Sequence, residues 1–497
     1  MKLFSTSPWI LSESFPWALG GVAAFHLAYG VSTLCLLIIG YLVCLMQLIR
    51  RRTMRQAFYL GLAVGLLTVA PQMSCLWTIF GPSAIALWLV LAFWIGLFGA
   101  LARLCLIRFG QTWGVLLVPF VWTGLEYFRS ELYYLRFSWL NVGYAFSNSS
   151  ALPIFHWFGI YGLGFLAASV AAVSLLPPKG AALFSLAVAL LAVPVPLLQS
   201  SSLLGTSRPS ADRSVRVAGV QMEFPSDAEV VSSLNHLLRI EPQAELLVLS
   251  EYTFDGTVPD KIAAWCRDHQ RYLVVGGKDP APKSNFYDTA FVIGPTGEII
   301  FRQVKSVPIQ FFKDGLPARE QRLWDSPWGK IGLCICYDLS YARVTDRLVR
   351  LGAQAMIVPT MDVVDWGRRE HELHARVAPI RSAEYGIPIF RVASSGISQW
   401  TDRSGRIMAA APFPGQQKII GGRLTLASAG SLPWDRWLAP FATGVTGSVI
   451  LWSLCRRRFR TSDSLKPTNK LTGANARGPR QLPMRTRWAA RVAQFRR

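Results

Sequence analysis

The stretch Lys330-Ile-Gly-Leu-Cys-Ile-Cys-Tyr-Asp-Leu-Ser340 decides how the chain is read. Residues 331–335 form an apolar-rich run with the pattern of a buried strand. The run ends at Cys336, and polar Tyr337 and Asp338 follow. A thiol at the mouth of a buried strand, where the backbone turns away, is well placed to be a nucleophile. The same residues also fit a plainer reading, in which Cys334 and Cys336 are two small core side chains. They sit two apart and so share a face direction, which is poor geometry for a mutual disulfide.

On either side of that run, residues 215–426 alternate strand and helix patterns. Strands are expected at 215–222, 246–249, 272–275 (closed by Gly276-Gly277), 355–358 and 389–393. Helices are expected at 230–240, 262–269, 344–351 and about 367–385. Residues 289–293 and 299–304 flank Gly294-Pro-Thr-Gly297 as a hairpin, and 399–408 forms another around Arg403-Ser-Gly405. This is an α/β domain with buried strands. A Ser/Pro-containing stretch, 201–214, reads as the linker that precedes it.

Outside this domain the chain reads as a membrane protein. Its 497 residues are 52% hydrophobic, with a mean hydropathy of +0.32. Apolar runs fall at about 9–27, 29–49, 57–79, 83–104, 112–129, 156–176 and 180–199, each near the ~20 residues a spanning helix needs. They make a membrane domain of residues 1–200, and no cleavable signal pattern precedes them. One more run, 436–455, is stopped by Arg456-Arg457-Arg458.

Arg50-Arg51-Arg52, Arg55, Arg103, Arg108 and Lys179 lie in alternate loops, which belong on the cytoplasmic side. Eight spans then place the α/β domain outside the cytoplasm and the tail, 456–497, inside it. That tail carries 13 Lys/Arg against one acidic residue, so it supplies +12 of the +22 net charge. Its composition reads as a disordered stretch attracted to anionic lipid, and the body of the protein gives no reason to expect a nucleic acid partner. Residues 125–144 are aromatic and partly polar at a membrane boundary. They fit an interfacial aromatic belt or a substrate-facing loop, with Trp139 and Tyr144 the lipid-facing candidates.

Three polar residues close buried strands or hairpins in the α/β domain: Glu251, Lys305 and Cys336. A base and a cation beside a cysteine favour its thiolate, and the lysine can also stabilise an oxyanion. His371 and His374 lie three apart on an expected helix, but no third ligand is evident from the spacing, so no metal is expected. Nor does any motif call for a cofactor.

Val217-Ala-Gly-Val-Gln221, the strand ending at Glu251, and Cys336-Tyr337-Asp338 resemble the nitrilase superfamily, whose members carry a Glu-Lys-Cys triad in an αββα sandwich. With the membrane runs, the chain to about 455 resembles the apolipoprotein N-acyltransferase family, which has eight spans and a nitrilase-like domain before the last. Matches also run through Phe137-Ser-Trp-Leu-Asn-Val-Gly-Tyr144, Gly159-Ile-Tyr-Gly-Leu-Gly-Phe165, and His374-Ala-Arg-Val-Ala-Pro-Ile-Arg381-Ser-Ala-Glu384. The resemblance implies that Cys336, not Cys334, is the nucleophile, with Glu251 as base and Lys305 as cation. It gives Tyr337, Asp338, His374 and Glu384 supporting roles.

It further implies an inner-membrane enzyme with its sandwich on the periplasmic side, a phospholipid acyl donor and an apolipoprotein acceptor. Alternatives are a divergent acyltransferase or amidase with another substrate, and a catalytically silent membrane scaffold.

The departures are specific. The family lysine stands five residues before the Pro of a Leu-Val-Pro run. Here Pro308 has Gln303 at that place and Lys305 only three before it. On a strand these two share a face, roughly 6.6 Å apart. The family's glutamate after that Pro is missing, leaving Asp314 as the candidate replacement, and Asp338 stands where the family tends to have Glu.

Overall fold

The computed structural model describes residues 8–50, 52–177 and 213–463. The expected span at 180–199, the linker up to 212 and the tail from 464 lie outside the described residues. The chain divides into two units, 1–450 and 451–497.

The N-terminal region is helical: α1 (Pro8–Gly30), α2 (Leu37–Ile49), α3 (Met54–Gln72), α4 (Cys75–Phe80), α5 (Ala84–Tyr127) and α6 (Leu152–Ala172). Thr53 starts α3 with a capping box, its hydroxyl accepting from the Gln56 amide. Two of the expected runs merge in α5, which is broken at Gly110, where φ is +76° and an L side chain would be strained. The expected run 57–79 is instead divided between α3 and α4. Among the described residues, three helical stretches are long and apolar enough to cross a membrane: Cys75–Leu132, Leu152–Leu175 and Asp435–Cys455. Leu37–Ile49, at 13 residues, falls short of the ~20 required for an untilted span.

The α/β domain holds twelve strands in two six-stranded sheets. One sheet has the order β12-β1-β2-β3-β4-β5: β12 (Ile419–Leu426), β1 (Arg213–Val220), β2 (Leu246–Val248), β3 (Tyr272–Ala281), β4 (Asn285–Ile293) and β5 (Ile299–Val304). The other runs β11-β10-β9-β8-β7-β6: β11 (Ile407–Ala411), β10 (Ser398–Thr401), β9 (Ile389–Ala393), β8 (Ala355–Thr360), β7 (Gly329–Leu333) and β6 (Leu323–Ser326).

Alternate residues explain why the central strands are apolar throughout. Val217, Val248, Ile331, Leu333, Ile357 and Val392 fill the layer between the sheets. Their neighbours Ala218, Leu247 and Leu273 pack outward under the helices α7 (Asp227–Ile240) and α8 (Asp260–His269). On the other side Met356 and Val358 join Leu348 of α9 (Ala342–Arg350) and Ile380 of α11 (Val377–Tyr385) in a core continuous with the membrane helices. Four layers, αββα, result. Strands buried on both faces lose the alternating pattern, as parallel pairs β1–β2, β2–β3, β7–β8 and β8–β9 require.

The expected long helix 367–385 is two helices, α10 (Arg368–Ala375) and α11, which ends at Gly386 in a left-handed cap. Gly276-Gly277 does not close β3, which continues to Ala281. A Cβ on Gly276 would stand 2.5 Å from the Glu251 Cα, so the glycine marks a close backbone approach rather than a strand end.

The last helix, α12 (Asp435–Asp463), packs its first turns on the membrane block. Thr443 and Thr446 donate to the carbonyls of Gly124 and Phe120. Inside α6, Gly159 has φ +65° and interrupts the helix. The amides freed there are capped by carboxylates: Ile160 N donates to Glu384 Oε1 at 2.7 Å and Tyr161 N to Asp435 Oδ2 at 2.9 Å. Glu384 is therefore an anchor between the sandwich and the membrane helices.

Candidate active site

β7 stops at Leu333, and the chain reaches a 3-10 turn, Cys336–Ser340. Cys336 itself has φ +49°, a strained conformation for a residue with a side chain. The strain lifts the sulfur out of the strand line at a sharp strand-to-turn elbow. Cys334 is fully buried among apolar residues of the outer layer. Asp338 holds the elbow to the loop after β5, accepting from the amides of Ser306 (3.0 Å) and Val307 (2.7 Å). Burial pushes its carboxyl up to about 6, against the pull of those amides and of Lys305.

Lys305 is buried at the exit of β5, and its amide donates to the Asp288 carbonyl. Its Nζ lies 2.7 Å from Glu251 Oε1, 2.7 Å from Asp314 Oδ2 and 3.3 Å from Asp288 Oδ2. Burial works against the charge, but Glu251, Asp314 and Asp288 together outweigh it and hold the ammonium well above the ordinary lysine range. Gln303 is turned away, its amide donating to the carbonyls of Val304 and Glu320.

Glu251 Oε2 accepts from the Met361 amide at 2.6 Å, and the Cys336 sulfur approaches the Met361 carbonyl at 3.6 Å. Asp314 is fixed by the Tyr252 hydroxyl and the Ile309 amide, each at 2.7 Å. Burial and the neighbouring Glu251 carboxylate raise the Cys336 thiol well above its ordinary value, against the pull of Lys305. Burial and Glu251 likewise raise the Asp288 carboxyl well above the usual carboxylate range, against the pull of Lys305.

Sequence reasoning missed Asp288. It lies on β4, and only the antiparallel pairing of β4 with β5 brings it to Lys305.

His374 is reached from the other side of the chain. Its Nδ1 lies 2.8 Å from Asp362 Oδ1, and Asp362 Oδ2 accepts from Arg391 at 2.5 Å. The third ligand that the spacing of His371 and His374 lacks is supplied in space by Asp362 and Glu370: donor atoms of Asp362, Glu370 and His371 lie within 4.8 Å of one another. Arg391 already neutralises Asp362, which disfavours a second cation there.

Trp139 is buried, stacks on His374 with ring centroids 4.7 Å apart, and donates from Nε1 to Ser340 Oγ at 2.9 Å. With Tyr337, it lines an open apolar cleft, whose other wall includes Leu76, Phe80 and Leu91 of the membrane helices and Phe312 of the loop after β5. Tyr144 does not reach that cleft; it is fully buried, and its carbonyl accepts from Arg376.

Residues 15–173 match the family of the apolipoprotein N-acyltransferase N-terminal domain, and residues 233–433 match the carbon-nitrogen hydrolase family. The two matches stand in the order and places of the helical block and the sandwich. The chain belongs to the apolipoprotein N-acyltransferase family, within the nitrilase superfamily. Two relatives of that name are each 24% identical. The Geobacter metallireducens protein aligns over 82% of this chain and 88% of its own length, and the Shewanella oneidensis protein over 70% and 77%. Among solved structures, Saccharomyces cerevisiae Nit3, a nitrilase-superfamily member, covers 52% of this chain and 97% of its own, with 18% identity and a TM-score of 0.37. The chain is thus a membrane enzyme of this family, and membrane-spanning helices adjoin its α/β sandwich.

Proposed function

We propose that the protein moves an acyl chain from a phospholipid, through a thioester on Cys336, to the N-terminal amine of a diacylglyceryl-cysteine lipoprotein. The observation that carries this reading is an apolar cleft lined by Tyr337, the residue after a thiol that Glu251 and the buried lysine paired with it act on. Glu251 takes the proton of Cys336, whose sulfur attacks the ester carbonyl. Lys305 and backbone N–H groups stabilise the oxyanion, and a lysophospholipid leaves with the proton. An amine then attacks the thioester in a second half-reaction.

Asp314 takes the part of the family's second glutamate by gripping Lys305 from the far side. The cleft accommodates an acyl chain delivered laterally from the bilayer, and Arg136 in its wall offers a cation to a phosphate. Eight spans, an inner-membrane location and a periplasmic sandwich complete the reading, since both substrates are lipid-anchored. A small soluble amide, the substrate of an amidase, has no use for a cleft walled by membrane helices.

Intact-mass analysis of the purified full chain after incubation with phospholipid vesicles tests it. One acyl chain is expected on the wild type and none on Cys336→Ala, with transfer to a diacylglyceryl-cysteine peptide falling at least about 10³-fold. A wild type that never gains the acyl mass, or a Cys336→Ala protein that still transfers, overturns the reading; the former is what a silent scaffold predicts, the latter a different nucleophile.

A further inference from the structure

A second set of polar side chains reaches the same sulfur, and the mechanism above leaves it unused. The Cys336 sulfur, a carboxylate oxygen of Asp362 and a ring nitrogen of His374 lie within 4.8 Å of one another. Asp362 is seated tightly: its amide donates to Ser394 Oγ, and a Cβ on Gly396 would stand 2.4 Å from Asp362 Oδ2. Two groups meet His374 Nδ1: Asp362 Oδ1 at 2.8 Å, which only accepts, and Arg391 Nη2 at 3.0 Å, which only donates and already donates to Asp362 Oδ2. We assign the hydrogen to Nδ1, for the shorter, carboxylate contact. The lone pair is then on Nε2, which is buried and has no protein partner. Trp139 fixes the plane of the ring by stacking on it. A thiol, an imidazole and a carboxylate gathered this closely are the nucleophile, base and orienter that thiol enzymes use.

Proton counting gives this arrangement a task. In the first half-reaction Glu251 moves one proton from sulfur to the departing lysophospholipid. In the second, the acceptor arrives largely as an ammonium, whose pKa is about 7.7–8.0 for an α-amine. Converting thioester and ammonium into amide and thiol releases two protons from nitrogen. One returns to sulfur through Glu251, and the other needs a second acceptor.

Resting on the function proposed above, we infer that His374, oriented by Asp362, accepts that second proton. The ammonium gives a proton to Nε2 and its nitrogen attacks the carbonyl. The C–N bond forms as the C–S bond breaks, Glu251 delivers the remaining N–H proton to sulfur, and His374 loses its own to solvent. Burial lowers the His374 pKa, although Asp362 raises it, and so favours the neutral ring that can take a proton. The charged and titratable groups facing it are Asp362, Arg391, Glu370, His371 and the thiol itself.

Thioester loaded from phospholipid vesicles and chased with two amines tests the inference. His374→Gln still accumulates thioester, and at pH 7 its chase by a diacylglyceryl-cysteine peptide slows about 10²-fold, whereas chase by hydroxylamine, already neutral, changes less than about threefold. Equal slowing with both amines, or none with either, overturns the inference and leaves the thioester mechanism standing.

Should the variant fail to load, the wild type decides. Between about pH 6.5 and 7.5, below the acceptor's pKa, kcat/KM for the peptide stays flat if the enzyme deprotonates a bound ammonium. A tenfold rise per pH unit there means that only free amine reacts, which overturns the inference. A wild type that forms no thioester removes the proposed function itself.

Discussion

Two buried ion clusters in this protein resemble each other in composition and differ in saturation. Around Arg436 and Arg381, three carboxylates meet two guanidiniums: Asp346, Glu384 and Asp435. Every carboxylate oxygen there has a partner, including the amides of Ile160 and Tyr161 and the Tyr385 hydroxyl. Burial would push Glu384 up, but Arg436 and Arg381 hold it below the usual range. Around Lys305, three carboxylates share a single cation, and neither Asp288 oxygen has a hydrogen-bond partner. The first cluster is finished and serves as a joint. The second is short of positive charge, which raises the Asp288 carboxyl and leaves the cluster poised for proton transfer.

The largest effect that separates the two clusters is expected from Lys305→Met. It removes the sole cation of the second, and acyl transfer should fall about 10²–10³-fold. Leaving three buried acids without their cation also costs about 3–5 kcal/mol, read as a lower thermal midpoint. A variant with full activity would show that the cluster is a joint as well. Glu384→Gln, in the finished cluster, should cost about 3 kcal/mol of stability while thioester formation per folded molecule stays within about twofold. Loss of loading at unchanged stability would erase the distinction. Asp288→Asn should change stability by less than about 1 kcal/mol and leave transfer nearly intact, because burial and Glu251 favour the neutral form that an amide imitates. A severe transfer defect would mean that Asp288 ionises in the cycle.

Much of the fold was legible because the hydrophobic run at 331–335 and its neighbours mark central strands, and the expected strand 389–393 coincides with β9. β6 and β12 went unread, being an edge strand and a partner of β1 that carry no distinctive apolar run. At the site, the spacing around Pro308 left Gln303 and Lys305 in competition. At the end of β5 Gln303 is bound to loop carbonyls, while Lys305, after the last paired residue, meets Glu251. Asp288, Asp362 and Arg391 were illegible for a common reason: each meets its partner across strands or from a separate loop, and no local spacing encodes such a meeting. The positive φ of Cys336 was equally hidden, because sequence patterns give no sign of strain in a non-glycine residue.

Trp139 belongs to the segment between α5 and α6, yet it braces a histidine of the sandwich and bonds to the turn that carries the thiol. A version of this enzyme cut off from its membrane helices would therefore be a room with a wall removed: thiol present, imidazole unsupported. Engineering or inhibitor screening has to be done on the whole chain in lipid or detergent, and a compound that slides between that indole and the imidazole would disable the enzyme by parting two regions rather than by filling a pocket.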